Sequence, residues 1–150
     1  MIAIIQRVTS CDVIIDKKPT SSINHGILVL LGIEKDDNHD DVKYISKKIL
    51  KMRIFNDNQK NMNLSIEDVD GSIMIVSQFT LCANVKKGNR PSYIDAMPVS
   101  EARNIYNSFV DYMTERHSKI ESGVFQADME VKLVNDGPVT ISIRSRNCVK

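Results

Sequence analysis

The chain predicts an α+β fold, a mostly antiparallel, barrel-like sheet with two flanking helices. Three observations lead there. Apolar residues fall in strand-length blocks near both ends and in the middle. Helical spacing occurs twice between those blocks. The resulting order of strands, helix, strands, helix and strands contains no repeat or low-complexity tract. With 150 residues, one domain spanning 1–150 with a sizeable core is expected.

Ile2 to Val8 and Cys11 to Asp16 read as two strands around a short Thr9-Ser10 turn. Lys17-Lys18-Pro19 and Ser21-Ser22 read as a connecting turn, and Ile27 to Ile33 as a buried strand. The period then changes: Val42, Ile45, Ile49 and Met52 recur at helical spacing after possible aspartate caps at 36, 37 and 40. Residues 56–70 are polar and turn-rich, and Asp70-Gly71 introduces a strand from Ser72 to Ser77. A strand-like stretch, Phe79 to Val85, runs into the basic loop Lys86-Lys87-Gly88-Asn89-Arg90-Pro91. Pro98 and Ser100 announce a second helix with the stripe Ala102, Ile105, Tyr106, Phe109, Val110 and Met113, and Ser100 is the expected N-cap. Val124 to Asp128, Met129 to Val134 and Val139 to Arg144 close the chain as β segments.

Composition removes several function classes. No stretch approaches the roughly 18–20 apolar residues of a membrane span, and the N-terminus carries no signal-peptide pattern, so a cytoplasmic protein without a membrane partner is expected. Twenty basic residues against 19 acidic ones leave no global electrostatic case for DNA or RNA, so any RNA contact must come from a local patch. Cys11, Cys82 and Cys148 are odd in number and lack C-x-x-C spacing, which fits reduced thiols. No His/Asp/Glu set has metal-ligand spacing, and no cofactor is expected. His39 and His117 read as solvated surface, and His25 has no evident Ser or Cys partner.

Two polar motifs in β-patterned surroundings carry the chemistry. Ser77-Gln78-Phe79-Thr80-Leu81 follows the run Ile73-Met74-Ile75-Val76, so a strand end brings hydroxyls, an amide and backbone N–H groups together. Backbone N–H groups of Ser77 and Gln78 are candidate oxyanion donors. Thr80 is either a nucleophile or a hydrogen-bonding wall, and no neighbouring base offers to take its proton. The second motif, Asn135-Asp136-Gly137-Pro138-Val139-Thr140, places a Gly-Pro step between strands, for which residues alone make a trans turn the default. Lys86, Lys87 and Arg90 suit phosphate contacts, whereas Lys43, Lys47 and Lys51 read as a solvated helix face.

These strings, with Ile5-Gln6-Arg7-Val8, Leu28-Val29-Leu30-Leu31-Gly32, Lys51-Met52-Arg53-Ile54-Phe55 and Lys87-Gly88-Asn89-Arg90-Pro91-Ser92, stand in the order seen in D-aminoacyl-tRNA deacylases. The chain resembles that family from Met1 to about Arg144. The resemblance implies a homodimer that hydrolyses D-aminoacyl-tRNA at its 3′-adenosine end, and glycyl-tRNA as a further substrate. It implies a catalytic pocket of Ser77, Gln78, Phe79 and Thr80. It also implies a cis Gly137–Pro138 step that enters the other subunit's site and excludes L-side chains, with Arg7 holding that loop and Met129 lining the pocket. From the residues alone, Arg7 would be an exposed strand residue and Met129 core filler. The chain departs from the family's usual pattern at Gln126, Glu130 and Cys82. Two rivals remain: an esterase or amidase for small D-amino acid derivatives, and a non-catalytic module that holds tRNA ends.

Overall fold

The computed structural model describes residues 1–145, so Cys148 lies outside the described residues. Eight strands and two helices follow in order: β1 (Ile2–Ile15), β2 (Lys18–Ile23), β3 (Gly26–Gly32), α1 (His39–Lys51), β4 (Phe55–Asn56), β5 (Met62–Leu64), β6 (Ser72–Ser77), α2 (Val99–Thr114), β7 (Ile120–Ser122) and β8 (Glu130–Arg144). The α+β class holds, with a sheet that is mixed. β1 pairs antiparallel with β2, β3 and β8, while β3–β6 and β6–β7 are parallel. The parallel pairs arise because α1 lies between β3 and β6, and α2 between β6 and β7, as crossover connections.

The curl of the sheet comes from β1. Its first half pairs with β3 and its second half with β2, while β8 runs along its other edge. Ser21 Oγ on β2 donates to Ser122 O on β7 at 2.8 Å, drawing the far strands together into a near-barrel. The expected Thr9-Ser10 turn is instead an irregularity inside one continuous strand, with register shifts against β8 between Gln6 and Ser10. It changes which residues face which side: Ala3 and Ile5 face the helices, whereas Val8, Cys11 and Val13 share the inner face.

Both faces of the central strands are therefore covered. Ile27, Val29 and Leu31 of β3 pack with Ile73 and Ile75 of β6 against Val42, Ile45, Ile49, Tyr106 and Phe109 of the helices. Leu28, Met74 and Val76 face the inside of the curl, with Val131 and Leu133 of β8. Two-sided burial is why these strands read as unbroken apolar runs rather than alternating ones.

Local signals explain the helix ends. Asn38 caps α1, its side chain accepting from Asp40 N at 2.8 Å while Asp41 Oδ2 accepts from Asn38 N at 2.9 Å. The expected aspartate caps are displaced because Asp37 turns inward and accepts from the buried Met1 amine at 2.5 Å. Pro98, not Ser100, caps α2; Ser100 lies within the first turn. The polar stretch after α1 contains the small hairpin β4–β5, and the strand β7 stands after α2 where no strand was expected. His117 is another correction. It is buried at the end of α2, with Nε2 2.7 Å from Gly71 O, because the chain must fold back there to lay β7 beside β6. No helix among the described residues is long and apolar enough to cross a membrane.

Candidate active site

The parallel ladder between β3 and β6 ends where Gln78 N donates to Leu31 O at 2.7 Å. Beyond it the chain does not continue as the expected strand. It tightens into a 3-10 turn, Phe79–Cys82, closed by Leu81 N donating to Gln78 O at 3.2 Å and Ala83 N to Thr80 O at 3.1 Å. Gly32 allows this turn to sit against the end of β3: a Cβ there would stand 2.9 Å from Leu81 Cβ and 3.1 Å from Gln78 O. The turn corrects one expectation about oxyanion donors. The Gln78 N–H is committed to Leu31, whereas the first two N–H groups of the turn, Phe79 and Thr80, have no acceptor inside it.

A cavity of about 610 Å³ opens beside this turn. Ser77, Gln78 and Phe79 line one side of it, and Met129 another. Pro98, Val99 and Ala102 at the start of α2, and Phe125, Gln126 and Ala127 of the turn before β8, complete the lining. Phe79 is 60% exposed and meets Tyr93 edge-on, with ring centroids 5.0 Å apart. Exposed rings at the mouth of a largely apolar cavity suit a flat, partly apolar group. Thr80 is not on the cavity lining; its Oγ1 accepts from Gln78 Nε2.

Cys82 faces away from this chemistry. It is buried, its Sγ lies 3.5 Å from Ile33 O, and burial pushes its thiol up to about 11, helped by Glu34. Burial likewise raises Cys11 to about 11. In native protein at pH 7.5, peptide mapping after iodoacetamide treatment should find both thiols unmodified, with labelling only after denaturation. Rapid native labelling of Cys82 would contradict its packing role.

Arg7, Gly137 and Pro138 form a second constellation, on the β1–β8 side. The Gly137–Pro138 peptide is cis. β8 is one continuous strand where two segments parted by the Gly-Pro step were expected; between the pairs Gln6–Thr140 and Val8–Asn135, residues 136–139 stand opposite Arg7 alone, as a bulge in the strand. Arg7 holds it. Its Nε lies 3.0 Å from Asp136 Oδ2 and 3.2 Å from Asp136 O, and Nη1 donates to Ile54 O. Arg7 is only 5% exposed, unlike the exposed strand residue that periodicity alone suggests. Gly137 has φ +119°, and a Cβ on it would stand 3.0 Å from Arg7 Nη2.

Lys86, Lys87 and Arg90 lie exposed in a loop pinched at its base by paired bonds between Asn84 and Ser92, 2.8 and 2.9 Å. That base leads directly to Tyr93, which lines the cavity. Lys43, Lys47 and Lys51 are exposed on α1, as read from the sequence. Sequence reasoning missed Gly32, Tyr93 and Asp136 as site-shaping residues. A glycine closing an apolar strand was the one available signal for the first; the others depend on contacts between distant segments.

A curled mixed sheet with two crossover helices carries a strand-end cavity with amide, hydroxyl and aromatic groups on its lining. The chain belongs to the D-Tyr-tRNA(Tyr) deacylase family, whose model matches residues 4–144. It is 51% identical over 148 residues to a D-aminoacyl-tRNA deacylase of Flavobacterium psychrophilum, covering 98% of this chain and 99% of that one. It is 47% identical to the D-aminoacyl-tRNA deacylase of Thermodesulfovibrio yellowstonii, covering 97% and 100%. Among solved structures, one titled c-Myc DNA Unwinding Element Binding Protein superposes with a TM-score of 0.93 at 41% identity, covering 98% and 100%. Another, titled as a probable eukaryotic D-amino acid tRNA deacylase, gives 0.79 at 16%, covering 95% and 98%, and so speaks to the fold alone.

Proposed function

We propose that this chain hydrolyses the ester joining a D-amino acid to the 3′-adenosine of tRNA, and that two copies build each complete site. The observation that supports the reading is the tight turn after β6, which leaves the Phe79 and Thr80 N–H groups without an acceptor inside it and sits at the edge of a cavity lined by Ser77, Gln78, Phe79 and Met129. Donors fixed in this way stabilise the oxyanion that forms when water attacks an ester carbonyl. The aminoacyl ester is activated, and its neighbouring ribose hydroxyl can assist the attack, so orientation and an oxyanion hole suffice. Thr80 then orients the Gln78 amide rather than attacking: its oxygen already accepts from that amide, it is not on the cavity lining, and an unaided Thr hydroxyl is weak.

Chirality is screened by Gly137 and Pro138 of the second copy. Their backbone carbonyls face the substituents on the α-carbon, so an L-side chain collides with rigid main chain while a D-side chain points outward. Glycine has nothing to exclude and passes. Arg7 supports this role by anchoring the bulge of β8 through Asp136. Lys86, Lys87 and Arg90 would meet the phosphates of the tRNA end, which gives affinity without sequence readout.

The test is hydrolysis of D-tyrosyl-tRNA and L-tyrosyl-tRNA side by side, with wild type and Thr80→Ala. Release from the D-ester alone is expected, and Thr80→Ala should keep its rate within about tenfold, since it removes a positioning contact and not the oxyanion donors. Equal cleavage of both esters would make the protein a general esterase. Binding without cleavage would make it a tRNA-end module, and a loss beyond about a thousandfold in Thr80→Ala would restore the nucleophile.

A further inference from the structure

We propose that Arg103 is a positioning residue that latches the turn 124–127 to α2 and thereby fixes the width of the cavity; the identity of the ligand in that cavity rests on the deacylase reading above. The lining draws on two separate elements, Pro98, Val99 and Ala102 at the start of α2 and residues 125–127 of the turn. Arg103 bridges them. Its Nη2 donates to Gln126 Oε1 at 2.9 Å, and its guanidinium lies 4.8 Å from the centre of the Phe125 ring.

The latch continues inward. Phe125 meets Tyr106 with ring centroids 5.4 Å apart, and Tyr106 OH donates to Ile75 O at 3.0 Å. The same carbonyl accepts Gly123 N at 2.8 Å, so the turn and the aromatic stack converge on β6 two residues before Ser77. Movement of the turn is thus tied to the strand that delivers the catalytic segment.

The turn needs such a hold. Gln126 has φ +69°, the left-handed region that favours glycine. The turn's own backbone bond, Ala127 N to Val124 O, spans 3.2 Å. Two contacts from one guanidinium, a charge-assisted hydrogen bond and a cation–π contact, supply what the local sequence does not. Because Arg103 touches the turn and not the reacting ester, its loss should alter ligand binding more than the chemical step.

The experiment compares wild type, Arg103→Ala, Arg103→Lys, Gln126→Gly and the double variant Arg103→Ala/Gln126→Gly. Two readouts are taken: amide hydrogen exchange in the segment 123–129, and KM and kcat on D-tyrosyl-tRNA. Arg103→Ala is expected to speed exchange there about tenfold and to raise KM about fivefold, with kcat within about twofold of wild type. Arg103→Lys should recover most of both, since an ammonium can still reach Gln126 and the ring. In the Gln126→Gly background, where glycine takes the backbone without cost and the shared partner is gone, Arg103→Ala should add less than about twofold. Unchanged exchange in Arg103→Ala, or an equal effect in both backgrounds, would overturn the latch. If wild type fails to hydrolyse the ester, the deacylase reading falls and the exchange data alone decide for or against the latch.

Discussion

Replacing Gly32 by alanine should lower turnover of D-tyrosyl-tRNA by about tenfold to a hundredfold, because displacements of under an ångström at a reacting centre have effects of that size. The added Cβ would stand 2.9 Å from Leu81 Cβ, an atom fixed to the backbone of the turn that carries Phe79 and Thr80. A flexible side-chain end could swing aside; a Cβ moves only if the turn moves. The stability cost should be about 1–3 kcal/mol, as for other overpacked sites. Steady-state kinetics and a denaturation curve together check this. Wild-type kcat in a folded Gly32→Ala protein would mean that the turn's placement does not govern catalysis.

The second large effect is expected at Arg7. Arg7→Leu removes a buried guanidinium that serves Asp136 and the Ile54 carbonyl at once. Breaking a fully buried pair costs about 3–5 kcal/mol. Asp136 is 37% exposed and solvent recovers part of its charge, so about 2–3 kcal/mol is the better expectation here. Urea denaturation measures it. The bulge 136–139 of β8 also loses its anchor, and the ratio of D- to L-ester hydrolysis should fall at least about tenfold if the bulge screens chirality by a rigid clash. Arg7→Lys should recover the ion pair to Asp136 but not the bond to Ile54, and so lie between the two. A destabilised Arg7→Leu protein with unaltered discrimination would separate the bulge's stability from the screening role.

Where the sequence was read correctly, the signal was local and repeated. The strands β3 and β6 are apolar over their whole length, and both helices carry a stripe at helical spacing, so burial alone dictates their type. Readings failed where one contact between distant segments decides. Phe79–Cys82 has a strand-like composition, yet the end of the ladder at Leu31 and the space above Gly32 turn it into a 3-10 helix. Val124 to Asp128 reads as a strand too, but its tie to Arg103 and the left-handed backbone of Gln126 make it a turn. Thr9-Ser10 looked like a turn because the alternation breaks there, and an irregularity within a continuous strand breaks it just as well.

The candidate site divides in the same way. Ser77 and Gln78 were legible because polar residues end an apolar strand there, and Phe79 as the neighbour within the same motif. By itself the sequence determined the α+β class, the two helices, the central strands and the two motifs, since each is written in a contiguous run whose period or chemistry is self-contained. Only the tertiary structure decided that the Gln78 N–H is committed to Leu31, that Arg7 is buried against Asp136, and that α2 and the turn before β8 both contribute to the cavity lining. Those features depend on where separate segments meet, and hydrogen-bond partners and close approaches have no periodic imprint in the chain.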